Sequence, residues 1–384
     1  MTNIKTKNKN ILFWSPLLGH VGTLNAVIGM ANALNSYKKY NIYLINLFGE
    51  FNIYKDKYQK FIYLDIFKFG KFFPSTGFFS KLFIHFFSIL SLPLIFYKVF
   101  KYKPYILISS LVGYLPCIIK IFFNRIILIN TIQGLPKFTF FRKIIWKIFY
   151  NKSDYLFTMT KKTKLDISKF IGISENKIHQ VCNPIINKKI KVLALASLDK
   201  GEEFLFKKKY TFCTVGRLTN QKNYNELLNG INKYYLNFNK NFNLLIIGSG
   251  ELQVELKKNI NYLNLNNNVH LLGFKKNPYK YIYRSDFYIS TSKWEEPGHT
   301  LLEAGYLNIP IISSNCPNGP KEILINNKNS FKYELGNLND FLRKLNYALR
   351  CNNSKINKIK LYMKKYVNNY TEVNFIRKFQ KIIK

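Results

Sequence analysis

The chain has 384 residues, which exceeds what one hydrophobic core usually organises and predicts two domains of roughly 150–200 residues. Its formal net charge is +39, from 59 Lys and Arg against 20 Asp and Glu, while 47% of its residues are hydrophobic. The lysines are spread along the chain among many Asn, Ile, Tyr and Phe residues, without a nucleic-acid-binding signature. We therefore predict no nucleic-acid partner, and we expect the basicity to favour anionic membranes or phosphate-bearing substrates.

The cysteines and the N-terminal residues exclude two further classes of protein. The five cysteines form no C-x-x-C pair: Cys117, Cys182, Cys213, Cys316 and Cys351. This scatter is typical of a reduced compartment and predicts neither disulfides nor a structural metal. The basic residues 1–10 precede an apolar run at 11–14 that is too short for a signal-peptide core. We predict that this run belongs to the first strand.

The first half of the chain alternates short apolar segments with helical patterns. Strands are predicted at residues 10–15, 42–48, 105–110, 126–130 and 155–160. A helix is predicted at residues 23–36, where apolar side chains recur at helical spacing: Leu24, Val27, Ile28, Ala31 and Leu34. One face of this helix should pack on a sheet, which makes the first two strands and the helix a βαβ unit.

Residues 82–97 depart from this pattern, because they contain no Lys, Arg, Asp or Glu and are flanked by Lys81 and Lys98. As one helix they would reach about 24 Å, short of the ~30 Å hydrocarbon core of a bilayer, and Pro93 would kink it. The segment is therefore not expected to span a membrane. Two interpretations stay open: a buried helix under the neighbouring strands, or a helix in contact with the membrane face.

A second alternating series follows Asn183 and Pro184. Strands are predicted at residues 210–216, 242–248, 269–273, 287–292 and 310–314, and helices at 224–236, 251–263, 278–284 and 298–307. Such alternation specifies a parallel sheet with helices on both faces. The fold class is therefore α/β, with two Rossmann-like domains at residues 1–186 and 187–364. The basic tail, 355–384, is predicted to form one or two helices, of which the last, about 365–384, crosses back to the first domain.

Ligands of parallel α/β sheets bind at the carboxyl ends of the strands, where loops lead into helix N-termini. The loop at 215–223 carries Gly216, Arg217 and Lys222. Gly216 would allow a sharp turn, and the two cations would lie beside outward-pointing backbone N–H groups, so that together they could hold a diphosphate without a metal. A solvated surface loop is the alternative. The G-x-G at Gly248 and Gly250 is weak alone but supports the first interpretation by its position.

The loop at residues 294–304 is the most informative. Gly298 opens a predicted helix, whose first backbone N–H groups would face a phosphate: those of His299, Thr300 and Leu301. Glu295 precedes the helix and Glu303 lies within it. One carboxylate would bind ribose hydroxyls, and the other would bind the sugar or the reacting centre. If the two carboxylates are considered separately, the alternative is that they have no ligand: one is a surface charge and the other a residue at the start of a helix.

Four motifs occur in one order along the second half: G-R-L-x-x-x-K at 216–222, G-x-G at 248–250, L-G-F at 272–274, and E-x7-E from Glu295 to Glu303. In this combination the chain resembles the donor domain of the retaining family 4 glycosyltransferases, whose GT-B fold has two Rossmann-like domains facing a cleft. The match covers about residues 210–324 well and the first domain more loosely.

The resemblance implies a nucleotide diphosphate sugar as donor, usually UDP- or GDP-linked. It assigns Arg217 and Lys222 to the diphosphate and Glu303 to the ribose. It assigns Glu295 to the transferred sugar near the anomeric carbon, and places Phe274 beside the base. The chain has no Asp-x-Asp motif, as expected where cationic side chains and helix dipoles replace a metal ion. No metal and no cofactor are predicted, since the nucleotide sugar is a substrate.

In the first domain, residues 18–23 occupy the place of the family's glycine-rich loop, which approaches the donor phosphate and the acceptor. Its candidate residues are Gly19, His20 and Gly22. The family often has a histidine on a later loop, where this chain has Gln133 followed by Gly134. This departure, like Glu296-Pro297 in place of the family's common Gly-Phe, is consistent with a subfamily that has its own donor preference.

We predict transfer of a sugar to an acceptor hydroxyl with retention, in bacterial cell-envelope polysaccharide, lipopolysaccharide or lipid-linked glycan synthesis. In the mechanism that the resemblance implies, the departing diphosphate helps to remove the acceptor proton, so no separate base is needed. A nucleotide-sugar epimerase of the same architecture and a non-catalytic basic membrane-binding protein are the alternatives. The net charge and residues 82–97 predict peripheral attachment to the cytoplasmic face of the inner membrane.

Overall fold

The computed structural model describes residues 9–18, 22–37, 40–67 and 77–383, and the chain divides into two compact units. Unit 1 comprises Met1–Ile185 together with Glu372–Lys384, and unit 2 comprises Ile186–Thr371. Unit 2 is therefore one continuous stretch of chain, whereas unit 1 is completed by residues that follow unit 2 in sequence.

Seven parallel strands form the sheet of unit 1: β1 (Lys9–Trp14), β2 (Tyr40–Asn46), β3 (Ile62–Asp65), β4 (Ile106–Ser109), β5 (Ile127–Ile132), β6 (Tyr155–Thr158) and β7 (Ile178–Gln180). Their order across the sheet is β3-β2-β1-β4-β5-β6-β7. The chain therefore winds outward in both directions from the central pair β1 and β4, in which Leu12 lies opposite Leu107.

Between residues 1 and 185, the described part of the chain forms six α-helices: α1 (Gly22–Ser36), α2 (Gly77–Leu90), α3 (Leu92–Tyr102), α4 (Tyr114–Phe122), α5 (Phe140–Phe149) and α6 (Lys161–Ile171). Alternate residues of β1 face opposite sides of the sheet, as the pleat requires. Ile11 and Phe13 lie in a core with α1, whereas Leu12 and Trp14 lie in a core with α2 to α6. Apolar residues fill the central strands because helices cover both faces.

The uncharged segment 82–97 lies in two helices, so the expectation of one helix kinked at Pro93 is wrong. Pro93 lies in the first turn of α3, where its fixed φ and missing N–H are tolerated. No helix among the described residues is long and apolar enough to cross a membrane alone; Phe79–Leu90 and Leu92–Tyr102 pass that test only together, with a 54° bend between them. The pair is buried on one side, at Ser88, Ile95 and Val99, and exposed on the other.

Six parallel strands form the sheet of unit 2: β8 (Tyr210–Val215), β9 (Phe242–Ile247), β10 (Val269–Gly273), β11 (Phe287–Ser290), β12 (Ile311–Ser314) and β13 (Phe331–Tyr333). Their order is β10-β9-β8-β11-β12-β13, which again winds outward from a central pair, here β8 and β11. The helices of unit 2 are α7 (Lys188–Ala194), α8 (Tyr224–Asn237), α9 (Gln253–Tyr262), α10 (Tyr279–Tyr283), α11 (His299–Tyr306), α12 (Gly319–Ile323), α13 (Leu338–Arg350) and α14 (Asn353–Val367).

The last helix, α15 (Glu372–Ile382), belongs to unit 1. At its start the Asn32 side chain of α1 donates a hydrogen bond to Glu372 Oε1 at 2.8 Å. Phe375 and Phe379 are 1% and 0% exposed in the core that contains Ile11 and α1. The helix thus supplies aromatic side chains that complete one face of the first sheet.

The two parallel sheets confirm the predicted fold class. Every predicted strand is present, with ends within two residues of those observed. The strands that were not predicted are β3, β7 and β13, which have three or four residues each and lie at sheet edges. Strands this short provide too few residues for an alternation of apolar and polar side chains to be recognised.

Candidate active site

The order of strands in unit 2 reverses between β8 and β11, which pair through Phe212 and Phe287. From β8 the sheet continues to β9 and β10, and from β11 to β12 and β13. The loops after these two strands therefore diverge and leave a crevice at the carboxyl edge, where open parallel sheets bind their ligands. The three loops that the sequence singles out follow β8, β9 and β11.

Glycines bring the first two of these loops into backbone contact. Gly248 has φ +145°, and a Cβ atom there would lie 1.9 Å from the Gly216 carbonyl oxygen. A Cβ atom at Gly250 would lie 2.4 Å from the Leu218 carbonyl oxygen. The Leu218 N–H donates to the Ser249 carbonyl at 2.9 Å. Only glycine fits at both positions, so the G-x-G sequence is what allows the loop after β8 to pack on its neighbour.

Several hydrogen bonds fasten the loop after β11 to the loop after β8. The Lys293 N–H donates to the Gln221 carbonyl at 2.8 Å. The Gln221 side chain donates to the Trp294 carbonyl at 2.9 Å, and the Thr291 hydroxyl donates to the Lys222 carbonyl at 2.9 Å. These bonds hold residue 222 opposite residue 295.

Lys222 and Glu295 form an ion pair in this crevice. Lys222 Nζ lies 2.5 Å from Glu295 Oε1, and the Ser292 hydroxyl donates to the same oxygen at 2.7 Å. The two side chains are only 18% and 9% exposed. A Cβ atom at Gly216 would lie 2.8 Å from Lys222 Cε, so the glycine makes room for the lysine. A cation and a carboxylate are thus held side by side with little water around them, where charge-assisted contacts are strong.

The N-terminus of α11 lies directly after this carboxylate. Gly298 has φ +100° and caps the helix, and the first helical hydrogen bond runs from the Leu301 N–H to the Gly298 carbonyl at 3.1 Å. The Leu301 N–H is therefore paired inside the helix, contrary to the expectation that it faces a phosphate. The N–H groups of His299 and Thr300 precede this bond, at the end of the helix where backbone donors point outward.

The side chains of His299 and Thr300 face the protein. The Thr300 side chain lies beside the buried Tyr288 side chain, whose hydroxyl donates to the Val215 carbonyl at 3.1 Å. Burial lowers the pKa of His299 to about 4, and none of the residues that the structure describes forms a hydrogen bond with its buried Nε2 atom. His299 is therefore neutral at ordinary pH.

Glu303 lies one turn further into α11 and meets a residue that the sequence did not single out. Tyr279, the first residue of α10, donates its hydroxyl to Glu303 Oε1 at 3.1 Å. Burial raises the pKa of Glu303 to about 7, although the Tyr279 hydrogen bond and the charge of Lys222 lower it. The charge of Glu303, followed by burial, raises the pKa of Tyr279. The carboxyl group is therefore near its midpoint at neutral pH, and a ligand that donates hydrogen bonds would favour its ionised form.

Arg217 and Phe274 extend from the rim of this region. Arg217 is exposed and forms no ion pair with any residue that the structure describes. Phe274 is 75% exposed and follows Gly273, which has φ +67° and accepts a hydrogen bond from the Gly248 N–H at 2.8 Å. Both side chains are thus free of the packing that holds Lys222 and Glu295.

The candidates in unit 1 have fewer contacts. Gly19 and His20 lie outside the described residues, and Gly22 is the first residue of α1. Gln133 Oε1 accepts from Asn183 at 2.7 Å, and Gln133 Nε2 donates to the Thr131 hydroxyl at 2.9 Å. Gly134 is exposed, and a Cβ atom there would lie more than 4 Å from every other residue that the structure describes. Both ends of the Gln133 amide are therefore already engaged inside unit 1.

A fourth loop, which sequence reasoning missed, supports Glu295. The Gly319 N–H donates to the Glu295 carbonyl at 3.1 Å, and a Cβ atom at Gly319 would lie 1.7 Å from the Pro297 carbonyl oxygen. Asn318 donates to Glu296 Oε2 at 2.7 Å. The Asn-Gly-Pro sequence at 318–320 is a recognisable turn signal after the strand predicted at 310–314, whereas nothing in the sequence marks Tyr279.

The positive charge of this site comes from side chains and the start of a helix. In the described part of the chain, no three His, Cys, Asp or Glu side chains are grouped as metal ligands. Lys222 and Arg217 suit an anionic group, while Glu295 and Glu303 suit neighbouring hydroxyls. The arrangement therefore fits a ligand that combines a phosphate with sugar rings.

Comparison with known sequences points to one family of enzymes. Residues 197–366 match the family model described as "Glycosyl transferases group 1". An uncharacterized glycosyltransferase of Methanocaldococcus jannaschii is 34% identical over 197 residues, which are 51% of this chain and 48% of that protein. The N-acetylgalactosamine-N,N'-diacetylbacillosaminyl-diphospho-undecaprenol 4-alpha-N-acetylgalactosaminyltransferase of Campylobacter jejuni is 25% identical over 207 residues, 54% of each chain. This chain spans about half the length of the curated relatives it matches.

Comparison with solved structures extends over both units. The Anabaena protein HepE, in complex with UDP, has a TM-score of 0.77 and 15% identity, with 98% of this chain and 99% of that chain covered. At this identity the likeness concerns the fold alone. The fold is that of the GT-B glycosyltransferases, as the order of the four sequence motifs indicates.

Proposed function

We propose that this chain, whose residues 197–366 match the family model of the group 1 glycosyl transferases, moves one sugar from a nucleotide diphosphate sugar to a hydroxyl group of an acceptor. The observation that carries the proposal is the pairing of Lys222 with Glu295 at the carboxyl edge of β8 and β11. A cation at that edge suits a diphosphate, and a shielded carboxylate beside it suits the hydroxyls of the attached sugar.

In this proposal each group at the edge has one task towards the donor. Lys222 and the exposed Arg217 bind the diphosphate, together with the first backbone N–H groups of α11. Glu303 accepts hydrogen bonds from the ribose hydroxyls while Tyr279 holds its carboxylate in place. In the free protein the anionic partner of Lys222 is Glu295. When a diphosphate binds Lys222 it replaces this partner, so that Glu295 can turn towards the sugar near the anomeric carbon.

The transfer proceeds with retention of the anomeric configuration. The bond from the anomeric carbon to the diphosphate oxygen breaks, and a bond from the acceptor oxygen forms on the same face of the sugar. The acceptor proton passes to the departing diphosphate, so the products are the new glycoside and a nucleoside diphosphate. Lys222, Arg217 and the N-terminus of α11 stabilise the negative charge that develops on the leaving group, which is the task of a metal ion in other transferases.

The relatives favour an acceptor from the cell envelope. The Campylobacter jejuni protein is named for an undecaprenol-diphosphate-linked acceptor, and HepE is seen with UDP. We therefore infer a UDP-sugar as the first donor to test, with a GDP-sugar second, and a lipid-linked or envelope glycan as the acceptor. The proposed place of the reaction is the cytoplasmic face of a membrane, where an anionic leaflet attracts basic proteins.

The test is a product assay by mass spectrometry with a panel of UDP- and GDP-sugars and a polyprenyl-diphosphate-linked saccharide. We expect a glycosylated acceptor and free nucleoside diphosphate, in equal yield with and without EDTA. Glu295→Gln should lower the rate at least about 100-fold, because it removes a charge-assisted contact made to the reacting sugar. Glu251→Gln, which changes an exposed carboxylate on a neighbouring loop, is the matched control and should keep its rate.

Two results would overturn parts of this assignment. An isomerised nucleotide sugar without any glycosylated acceptor would favour the epimerase. Activity that disappears in EDTA and returns with Mg²⁺ or Mn²⁺ would show that the two cationic side chains do not replace a metal.

A further inference from the structure

Four helices of unit 1 form one outer layer over the sheet. The ring of Phe96 in α3 meets Phe122 at the end of α4, with centroids 5.3 Å apart. In α2, His85 Nδ1 lies 2.8 Å from the Tyr114 hydroxyl of α4, and the Tyr114 ring lies 6.0 Å from Phe149 of α5. The inward sides of α2, α3, α4 and α5 share one apolar core with the sheet. Their outward sides therefore make up one continuous surface.

This surface exposes large apolar side chains to water. Phe141 and Phe140 of α5 are 77% and 72% exposed, Phe122 is 70% exposed, and Phe100 and Phe79 are 67% and 63% exposed. The helix α5 has no fully buried residue, although most of its residues are apolar. Soluble proteins rarely leave an apolar surface of this extent uncovered.

The charged side chains of these four helices are all positive, and one of them, Lys120, is paired with Asp154 beyond the helices. Residues 66–153 contain 13 Lys and Arg and no Asp or Glu. On α5, Arg142 lies over the Trp146 ring at 5.4 Å, and Lys143 and Lys147 are exposed between the apolar side chains. The occupant of this surface must therefore combine hydrocarbon with negative charge.

A second copy of the chain does not meet that requirement. In a twofold dimer the same patch lies on both sides of the interface, so two surfaces with only positive charge would face each other. An anionic bilayer does meet it, because its acyl region takes up Phe and Ile side chains while its headgroups pair with Lys and Arg.

The helices are suited to lie in the membrane interface without crossing the bilayer. Phe79–Leu90 and Leu92–Tyr102 would be about 18 and 17 Å long, well under the ~30 Å hydrocarbon thickness. Their inward residues Ile95 and Val99 are 1% exposed in the core, which keeps the pair on the sheet. Insertion is therefore limited to the outward side chains.

We propose that α2, α3, the end of α4 and α5 form a docking face for an anionic lipid bilayer, which Phe140 and Phe141 enter. The inference rests on the proposed function only in that the bilayer would carry the acceptor. Docking itself is measured without donor or acceptor, so that failure of either proposal can be recognised separately.

The first test changes exposed apolar side chains. Binding is measured by co-sedimentation with vesicles of phosphatidylglycerol and phosphatidylcholine in equal parts, and with phosphatidylcholine alone. Wild type should bind the anionic vesicles much more tightly. Phe140→Ser with Phe141→Ser should weaken that binding at least about tenfold, because two large side chains no longer leave water. The matched control is Val254→Ser with Tyr262→Ser, on a helix of unit 2 where these residues are 69% and 85% exposed. It should bind as wild type does.

The second test changes charge. Lys143→Glu with Lys147→Glu should weaken binding about twentyfold or more at low salt, and the difference should shrink as salt screens the surface. Lys257→Glu with Lys258→Glu makes the same change in net charge on exposed residues of α9 and is the control. Equal losses in the two pairs would mean that the overall charge of +39 drives binding, which would overturn the docking face.

Three further outcomes decide the proposal. Wild type that ignores anionic vesicles, or a Phe140→Ser/Phe141→Ser variant that binds as tightly as wild type, would overturn it. A dimer in sedimentation equilibrium that this variant dissociates, with vesicle binding unchanged, would assign the face to a second copy. Thermal melts accompany each variant; if the Phe pair unfolds, Phe86→Ser with Leu90→Ser, at positions 59% and 56% exposed, replaces it. Turnover on a water-soluble acceptor should persist in every variant.

Discussion

The glycines after β8 and β9 in unit 2 hold their two loops in backbone contact, whereas Gly134, after β5 in unit 1, has no described backbone packed against it. Gly248 has the Gly216 carbonyl oxygen 1.9 Å from the position of its missing Cβ atom, while Gly134 has no atom of the described residues within 4 Å of that position. Both glycines follow a strand of a parallel sheet with the same outward winding. The comparison teaches that the fold fixes where a loop emerges, and that contacts between loops decide whether it becomes a rigid site.

The largest effect is expected where a glycine is required by its neighbours. Gly248→Ala should destabilise the protein by about 3 kcal/mol or more, because a side chain is strained at φ +145° and collides with the Gly216 backbone. This corresponds to a melting temperature lower by roughly 6–12 °C. Gly134→Ala should change stability by less than about 0.5 kcal/mol. Equal melting temperatures for the two variants would remove the distinction between the loops.

A smaller effect is expected when the cations of unit 2 are removed one at a time. Lys222→Ala should lower kcat/KM for the donor by roughly 100-fold, since it removes a contact to the diphosphate and also leaves the shielded Glu295 without its partner. Arg217→Ala should cost about tenfold, because this exposed side chain supports no other residue. Lys293→Ala, whose side chain is exposed on the adjacent loop, is the control. Donor kinetics that stay at the wild-type level in both variants would contradict the diphosphate assignment.

The pH dependence of donor binding should reveal Glu303. Burial raises its pKa from 4.5 to about 7, and in its proposed role the ionised form accepts hydrogen bonds from the ribose hydroxyls. The dissociation constant for UDP should therefore rise as pH falls below about 7, and Glu303→Gln should reduce the slope to the part caused by protonation of the UDP phosphate, whose second pKa is about 6. His299 cannot produce it, because its pKa is lowered to about 4. Calorimetric titrations of UDP at pH values from about 6 to 8 would measure this dependence in wild type and in Glu303→Gln.

As pH rises through this range, UDP binding should become tighter, whereas the free energy of unfolding should fall. Because the folded-state pKa of Glu303 is raised, the native protein binds more protons than the unfolded chain between pH 4.5 and about 7. The stability contributed by this group is present at low pH and lost as pH rises through that window. The loss should be smaller in Glu303→Gln than in wild type, and an identical pH profile for both would show that the carboxyl group is not buried.

The smallest effect is expected at Tyr279. Tyr279→Phe removes one hydrogen bond to Glu303, which should weaken UDP binding by about fivefold at neutral pH. The same bond lowers the pKa of Glu303, so the midpoint of the pH dependence should move upward in the variant. Tyr283→Phe, on the same short helix and 45% exposed, is the control. A change in affinity without a change in midpoint would point to a merely structural role for Tyr279.

Sequence patterns located the central strands because those strands are apolar and bounded by turn signals. The edge strands β3, β7 and β13 were not predicted, because three or four residues are too few to show an alternation of apolar and polar side chains. The G-x-G and E-x7-E motifs led to the loops that the structure brings together. Tyr279 and Gly319 could not be found in this way, because their importance depends on contacts between residues that are distant in sequence.

The exposed surface of α5 was also missed, for a physical reason. Arg142, Lys143 and Lys147 interrupt its apolar residues, so a search for uncharged segments selects 82–97 and passes over 140–149. An isolated amphipathic pattern cannot tell whether its apolar side faces a core or a bilayer. Only the fractional exposure of Phe140 and Phe141 separates the two.

The position of α15 in the chain has a consequence for protein synthesis. All of unit 2 leaves the ribosome before Phe375 and Phe379, which the core of unit 1 needs, and Asn32 meets Glu372 only after some 340 intervening residues have been translated. Unit 2 can fold as soon as it emerges, while unit 1 waits with one face of its sheet covered only in part, beside α1, and the rest available to chaperones. A messenger RNA truncated shortly before codon 372 would thus yield a chain with a finished second unit and an aggregation-prone first one.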